Sequence, residues 1–199
     1  MSSRLVVNSV RHTGASADAI TMDASGNVTF PANATCSGTA SGFGKLLQVV
    51  QATKTDTASN STASGGVWVP TAPKCSITPS NASNKILVQA TVNLSVNQDS
   101  HGLHLTVLKA GALMFVGDAD GNRQRVTTAT YSHNQYRSSF LHFNYLDTAG
   151  GTSAIEYSLQ LSHDSGATQT IYLNRTTSND NSDDRPLGAT SIILSEIAA

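Results

Sequence analysis

Charged residues are scarce in this sequence, and the few that it has nearly cancel. Lys, Arg, Asp and Glu make up 13% of the 199 residues, and the formal net charge is −1. The usual charged share is about 25%. Because no basic excess is present to attract nucleic-acid phosphates or an anionic lipid surface, we expect neither nucleic acid nor a membrane among the partners.

Long apolar runs and cysteines are also rare. No segment approaches the roughly 18 consecutive apolar residues of a membrane-spanning helix. The first residues, Met-Ser-Ser-Arg-Leu-Val-Val-Asn, contain no run that is typical of a signal peptide. We therefore expect a soluble protein made in the cytoplasm, in which Cys36 and Cys75 stay reduced rather than form a disulfide.

Motifs of known catalytic sites are missing. The chain has no Gly-x-Ser-x-Gly, no phosphate-binding loop and no His-Glu-x-x-His, and its only glutamates are Glu156 and Glu196. A glycosidase needs two carboxyl groups that face each other across a cleft, and the spacing of the aspartates indicates no such pair. We predict that the protein is not an enzyme and needs no cofactor.

Two short motifs are candidates for metal sites, but each is better explained without a metal, as solvated side chains or as a turn. His101-Gly-Leu-His104 would place its histidines on opposite faces of a strand, which favours two solvated side chains. Asp118-Ala-Asp-Gly-Asn122 begins like a calcium loop. Arg123 and Arg125 then follow where the motif needs further acidic ligands, which favours a turn. We predict no bound metal.

The strongest pattern in the sequence is strand alternation between residues 85 and 96. Every even position from Ile86 to Val96 is apolar, and every odd position except Leu87 is polar. Successive side chains of a strand point to opposite faces, so this segment predicts one buried face and one solvent-exposed face. The same alternation recurs between residues 102 and 109, 139 and 146, and 155 and 161.

Eight or nine such strands, with turn signals between them and no helical period, predict an all-β fold. We expect an antiparallel β-sandwich or jelly-roll-like domain over residues 45–199. In its first strand, Leu47 and Val49 are the expected inward pair, and residues 53–66 are expected to form a polar, turn-rich connection.

Residues 1–44 are predicted to form a separate attachment and trimerisation segment. Ile20 and Met22, then Val28 and Phe30, flank the turn residues 23–27, which indicates a short β-hairpin. A lone hairpin is barely stable in water, so it must pack against something, such as copies of itself. The Gly- and Ser-rich residues 31–44 are typical of a linker.

Several motifs, taken in order, carry a resemblance to a known family. They are Asn8 to Phe30, Gly44-Lys-Leu-Leu-Gln-Val-Val-Gln, Ser76 to Val88, Gly117 to Val126, Ile171-Tyr-Leu-Asn-Arg and Ser191 to Ile197. Together they resemble fibre-type virion proteins of tailed bacteriophages, particularly of phages that infect marine bacteria and cyanobacteria. The resemblance implies a homotrimer located in the virion, with a distal β-sandwich head, although this chain is short and has no long shaft.

Three functional hypotheses follow. The first is a trimeric tail fibre or receptor-binding adhesin, held to other virion proteins of the tail, baseplate or capsid by residues 1–44, whose loops contact a host-surface glycan or protein. The second is a capsid fibre or head decoration protein, and the third is a stand-alone carbohydrate-binding module.

For the first hypothesis, the loops of interest are 53–66, 117–125, 132–137 and 176–186. The candidate contact residues are Trp68, Tyr131, Tyr136, Arg137, Asp180 and Asp183. For Trp68, a place in or beside the core is favoured over an exposed stacking position.

Overall fold

The computed structural model describes residues 7–30, 45–178 and 180–199 of the chain. Within these ranges every regular element is a β-strand, so the fold is all-β, as predicted. No helix suited to crossing a membrane occurs in the described ranges. The chain divides into two compact units, Met1–Phe43 and Gly44–Ala199.

The first unit contains a small antiparallel sheet of three strands. They are β1 (Ser9–Val10), β2 (Ile20–Met22) and β3 (Val28–Thr29), arranged in that order. Asp23 closes the turn between β2 and β3, because its Oδ1 accepts hydrogen bonds from the backbone N–H groups of Ser25 at 2.8 Å and Asn27 at 2.9 Å. The predicted hairpin is confirmed, and β1 adds a third strand to it.

The second unit is an antiparallel β-sandwich of two sheets. In the first, sheet I, the central strands β9 and β13 pair with each other; β10 and β11 share the free side of β9, and β6 and β7 share the free side of β13. Sheet I consists of β6 (Val67–Trp68), β7 (Lys74–Ile77), β9 (His101–Lys109), β10 (Ala112–Met114), β11 (Thr128–Ser132) and β13 (Ile155–His163).

Sheet II has four strand positions across its width, two of which hold two strands end to end. The order is β12, then β8, then β14 and β15 in line, then β5 and β4 in line. Its strands are β4 (Leu46–Lys54), β5 (Ala58–Thr62), β8 (Lys85–Val96), β12 (Ser139–Thr148), β14 (Gln169–Leu173) and β15 (Thr190–Ile197).

The hydrophobic core lies between the two sheets, where the predicted inward residues meet. The even positions of β8 are between 0% and 5% exposed, which confirms the alternation found in the sequence. They form one cluster with the inward residues of sheet I, including Leu103, Leu105, Leu159 and Leu161. Burial of this apolar area is the main stabilising contribution to the fold.

The first strand and the connection after it differ from the sequence prediction. In β4 it is Val50 and Ala52 that pack against the core, whereas Val49 is 53% exposed, so the predicted inward pair of Leu47 and Val49 was wrong. The strand is apolar at four of its first five positions, and apolarity alone does not identify its inner face. Residues 53–66 include the polar strand β5, which pairs with β14 and was not predicted.

The outer face of β8 also departs from the prediction, because it is not exposed along its whole length. Asn93 and Ser95 are 1% and 0% exposed. Their neighbours come from the chain between β14 and β15: Asn174 N–H donates to Asn93 O at 2.9 Å, and Ser95 Oγ donates to Arg175 O at 2.8 Å. A polar side chain in a strand can thus be covered by a distant loop.

Candidate functional site

The sandwich has two different ends, which we name by what they contain. The base contains residues 78–84, 110–111 and 149–154 together with both chain ends of this unit, where Ala198 N–H donates to Lys45 O at 2.9 Å. The loop end contains residues 97–100, 133–138, 164–168 and 174–189. The twelve-residue strand β8 runs from the base to the loop end, a span of about 40 Å.

Hydrogen bonds between connections hold the loop end together. Asp99 Oδ1 accepts from the backbone N–H of Gln135 at 2.5 Å, which joins the β8–β9 connection to the β11–β12 connection. Asp164 Oδ1 accepts from the N–H of Gly102 at 2.8 Å, and Thr177 N–H donates to Gln135 O at 3.3 Å. Segments that are distant in sequence therefore form one continuous surface.

The largest part of this surface is a long excursion, residues 174–189, which leaves the line of β14 and returns to it as β15. The two ends of the excursion meet at a point that we call the neck, formed by Asn174 and Gly188. Asn174 is fully buried, and its carbonyl accepts a hydrogen bond from the N–H of Gly188 at 2.9 Å. The Asn174 side chain donates to Lys54 O and Asp56 O and accepts from Thr190 Oγ1 at 2.7 Å. These bonds fix where the excursion starts and ends.

Position 188 at the neck requires a glycine, because the side chain of Asn93 leaves no space there for a Cβ atom. A Cβ atom on this residue would lie 2.3 Å from the side-chain Cγ of Asn93, far closer than nonbonded carbon atoms approach. A glycine therefore lets the returning chain pass directly over β8.

The excursion brings charged and aromatic side chains of two loops together. The guanidinium of Arg185 lies over the ring of Tyr136, with 4.3 Å between Cζ and the ring centroid. Its Nε is 3.5 Å from Asp180 Oδ1, and its Nη1 is 3.6 Å from Asp184 Oδ2. Arg137 extends from the β11–β12 connection to the same place, where its Nη1 donates to Asp184 O at 2.5 Å.

The carboxylate of Asp184 is stabilised in its charged form at this cluster. A hydrogen bond from Ser182 Oγ, together with the nearby positive charges of Arg185 and Arg137, lowers the pKa of Asp184 from its ordinary value of 3.8. The cluster therefore presents fixed charges of both signs at neutral pH.

A small cavity of about 220 Å³ opens beside this cluster. It lies below the roughly 300–1,000 Å³ of typical small-molecule pockets. Its lining is mainly polar: Thr176, Ser178, Asp180, Asn181, Ser182, Arg185 and Leu187. Hydroxyl, amide and charged groups of this kind can hydrogen-bond a hydroxyl-rich or peptide ligand. The Nε of Arg185 is buried and makes no hydrogen bond within the described residues.

Four of the six residues predicted for receptor contact lie on these two loops. Tyr136 is 42% exposed, and Arg137 and Asp180 lie in the same cluster. Asp183 is exposed on the excursion. Tyr131 lies at the end of β11, 46% exposed, with its hydroxyl donating to Ser100 O at 2.8 Å.

Trp68 has a different environment from the other five. It is on β6, paired with Leu161 of β13, and it packs partly buried against the hydrophobic core. This is the position beside the core that the sequence analysis favoured over an exposed stacking position.

The sequence prediction did not include the residue at the centre of the cluster, Arg185. Arg185 contacts Tyr136 and lies within 3.6 Å of two carboxylates. A signal was present, since Arg185 is the only basic residue in the otherwise acidic run between 176 and 186. A single cation among several carboxylates is a natural centre for ion pairs.

The other predicted loops and motifs lie elsewhere. In the loop 117–125, Gln124 donates from Nε2 to Ser162 Oγ at 2.7 Å, so this loop crosses the outer face of sheet I. Arg123 N–H donates to Asp120 O at 3.2 Å, which is the geometry of a turn. His101 Nδ1 is 3.2 Å from Asp164 Oδ1, whereas His104 Nδ1 is 2.9 Å from Gln124 Oε1.

Burial lowers the pKa of His104 from its ordinary value of 6.5, which disfavours the charged form. Within the described part of the chain, no three His, Cys, Asp or Glu side chains come together in an arrangement that could hold a metal ion. Cys75 is buried with a free thiol, and Cys36, its candidate partner, lies outside the described residues.

Comparisons with known proteins give only partial structural likenesses. No protein-family model and no curated protein matches the sequence. A chain in the structure of the infectious bursal disease virus Gt strain matches with a TM-score of 0.43 and 13% identity, over 92% of this chain and 47% of that one. A chain in the structure of the Gx strain matches with a TM-score of 0.39 and 15% identity, over 76% of this chain and 36% of that one. This chain spans less than half the length of either viral chain, and at these TM-scores the likeness identifies neither a family nor a function.

Proposed function

We propose that this protein is a structural protein of a tailed-phage virion, a homotrimeric fibre-type adhesin. Residues 1–44 attach it to other virion proteins, and the loop end of the sandwich contacts the host surface. We assign it a binding role rather than a catalytic one.

The observation that carries this proposal is the separation of the two ends of the sandwich. Residues 1–44 lead into the second unit at Lys45, which lies at the base beside Ala198. Tyr136, Arg137 and the excursion lie at the other end of β8, about 40 Å away. A chain entry point at one end of the sandwich and a polar, aromatic loop surface at the other is the arrangement that a fibre head requires.

The chemistry of the loop surface supports a polar receptor. Tyr136 and Tyr131 are 42% and 46% exposed, and the guanidinium and carboxylate groups of the cluster offer hydrogen bonds in fixed directions. Aromatic and arginine side chains dominate binding energy at protein surfaces, and aromatic rings also stack on sugars. A host-surface glycan or a polar protein loop would satisfy these groups.

The first test is the position of the protein on the virion. Gold-labelled antibody against the chain, imaged by electron microscopy on intact particles, should mark the tail or the baseplate. Label spread over the head would contradict a receptor-binding fibre and would instead identify a capsid fibre or decoration protein anchored by residues 1–44.

The second test concerns the loop end itself. Phage carrying Arg137→Ala should adsorb to host cells at least tenfold more slowly than wild type, because Arg137 joins the β11–β12 connection to the excursion. Phage carrying Arg123→Ala is the matched control, since the side chain of Arg123 is 83% exposed on the loop that crosses sheet I. Equal adsorption rates for the two variants would refute the assignment of the loop end.

A further inference from the structure

The outer face of sheet II carries an apolar patch near the base, which we call the apolar face. Strand register places Leu146, Leu87, Ser195 and Val49 in one row across four neighbouring strands. Above this row lies Ile193, and below it Ile197 is paired with Leu46. Leu46, Val49 and Leu146 are 59%, 53% and 51% exposed. We propose that copies of this chain pack against one another through the apolar face.

The charge of this face suits contact between identical copies. Its only residue with a formal charge is Lys85, whose Nζ donates to Thr148 Oγ1 at 2.7 Å. The remaining outward residues of the four strands are Gln, Asn, Ser, Thr and His142, besides the apolar ones. Identical copies carry identical charges, so a charged face would repel itself, whereas a neutral apolar face does not.

Within the described residues, no loop of the sandwich crosses this region and Lys85 is its one charged side chain, in contrast to the outer face of sheet I. Sheet I is crossed on its outside by Gln124, and it carries the ion pair of Lys74 with Glu156, 3.1 Å apart. The excursion covers the outer face of sheet II only at the loop end, over Asn93 and Ser95. Nearest the base, no loop of the described part of the sandwich covers this face, and Leu46, Val49 and Leu146 are more than half exposed there.

The position at which the chain enters the second unit favours another copy of this chain as the partner that packs on the apolar face. Residues 1–44 are followed by Lys45 and then by Leu46, which is itself part of the apolar face. The proposed homotrimer requires residues 1–44 to hold several copies together. Each of these copies then enters its second unit at the edge of its own apolar face. Three sandwiches around a common axis can each turn this face inward.

The size of the face sets the expected strength of the contact. Four strands at about 4.8 Å spacing and seven residues at about 3.4 Å give roughly 450 Å² per copy. A standard interface buries about 800 Å² per partner. The contact is therefore weak on its own, and joining the copies through residues 1–44 would strengthen it by raising their effective concentration.

The test is the assembled mass of the full 199-residue chain over a dilution series, measured by mass photometry and sedimentation velocity. The variant is Val49→Glu with Leu146→Glu, and the matched control is Leu113→Glu with Val67→Glu, two apolar residues of sheet I that are 53% and 49% exposed. Because all four residues are about half exposed, the variants should fold, which circular dichroism checks.

We expect wild type and control to assemble to a multiple of the 20.7 kDa chain mass. The variant should need at least tenfold more protein to do so. A monomeric wild type at about 100 µM would overturn the proposal, and so would equal assembly of variant and control. This inference rests on the homo-oligomer of the proposed function but not on its receptor contact, so unchanged adsorption of phage carrying Arg137→Ala, with intact assembly of the chain, would count against the receptor role alone.

Discussion

The base and the loop end of the sandwich both contain ionised side chains, but they hold them differently. At the base, Glu196 is 1% exposed and accepts hydrogen bonds from Asn84 Nδ2 at 2.6 Å, Gln48 Nε2 at 2.5 Å, and both the N–H and the hydroxyl of Ser80. At the loop end, Arg137 and Asp184 pair in solvent, with side chains 59% and 46% exposed. A buried charge depends on its neighbours, whereas an exposed pair is already solvated.

The base contains a second ionised group, which is partly buried: the side chains of Asp147 and Lys109 are 15% and 28% exposed. Asp147 Oδ2 accepts from the hydroxyl of Tyr157 at 2.7 Å and lies 2.6 Å from Lys109 Nζ. These residues come from β12, β13 and β9, so the group joins sheet II to sheet I. The comparison indicates that the base contributes stability, whereas the loop end is the surface to which the proposed function assigns recognition. Substitutions should therefore separate the two roles.

The largest effect is expected for Glu196→Ala. The substitution leaves the donors of Asn84, Ser80 and Gln48 without their acceptor in a buried site, and each unsatisfied buried group costs about 1–3 kcal/mol. Urea denaturation should show a loss of about 2–4 kcal/mol in the free energy of unfolding. A loss below about 1 kcal/mol would mean that the base is no more dependent on its charges than the loop end is.

The pH dependence of stability tests the same group by another route. Burial opposes ionisation of Glu196, but the hydrogen bonds from Asn84, Gln48 and Ser80 outweigh it and hold its pKa at about 2, against an ordinary value of 4.5. The unfolded chain takes up this proton first, so the stabilisation is present above about pH 4.5 and is lost as the pH falls toward 2.

The matched control for this measurement is Glu196→Gln. Its stability should fall less steeply than that of wild type between about pH 4.5 and 2, although Asp184, Asp56 and Asp23 also have lowered pKa values and leave some slope. Parallel curves for wild type and Glu196→Gln over this interval would contradict the assignment.

A smaller loss is expected for Tyr157→Phe. Burial, together with the neighbouring Asp147 carboxylate, raises the pKa of Tyr157, so its hydroxyl stays a donor at all ordinary pH values. Removing it should cost about 1–2 kcal/mol, since Asp147 keeps its ion pair with Lys109. Tyr172→Phe is the control, because the Tyr172 hydroxyl makes no hydrogen bond within the described residues; equal losses would show that the bond to Asp147 adds nothing.

The sequence predicted the local features of this molecule better than its distant contacts. Alternation between Ile86 and Val96 identified the core face, because it depends on neighbours in the same strand. It did not identify the burial of Asn93, which depends on Gly188 passing overhead. The candidate site behaved in the same way: Tyr136, Arg137 and Asp180 could be chosen by residue type, but only the excursion's path brings them to Arg185.

The smallest effect on stability is expected for Arg185→Ala at the loop end. The side chain of Arg185 is 19% exposed, but its partners Asp180 and Asp184 are 57% and 46% exposed. Ion pairs with such exposed carboxylates contribute about 0–1 kcal/mol, and Arg185 has a cation–π contact with Tyr136 in addition. The free energy of unfolding should change by less than about 1 kcal/mol, while adsorption of phage carrying the variant should slow at least tenfold. Arg185→Lys keeps the charge but not the planar guanidinium, and it should recover only part of the adsorption rate. A large loss of stability without a loss of adsorption would reverse the roles of the two ends, and would make the excursion a structural cover for β8 rather than a contact surface.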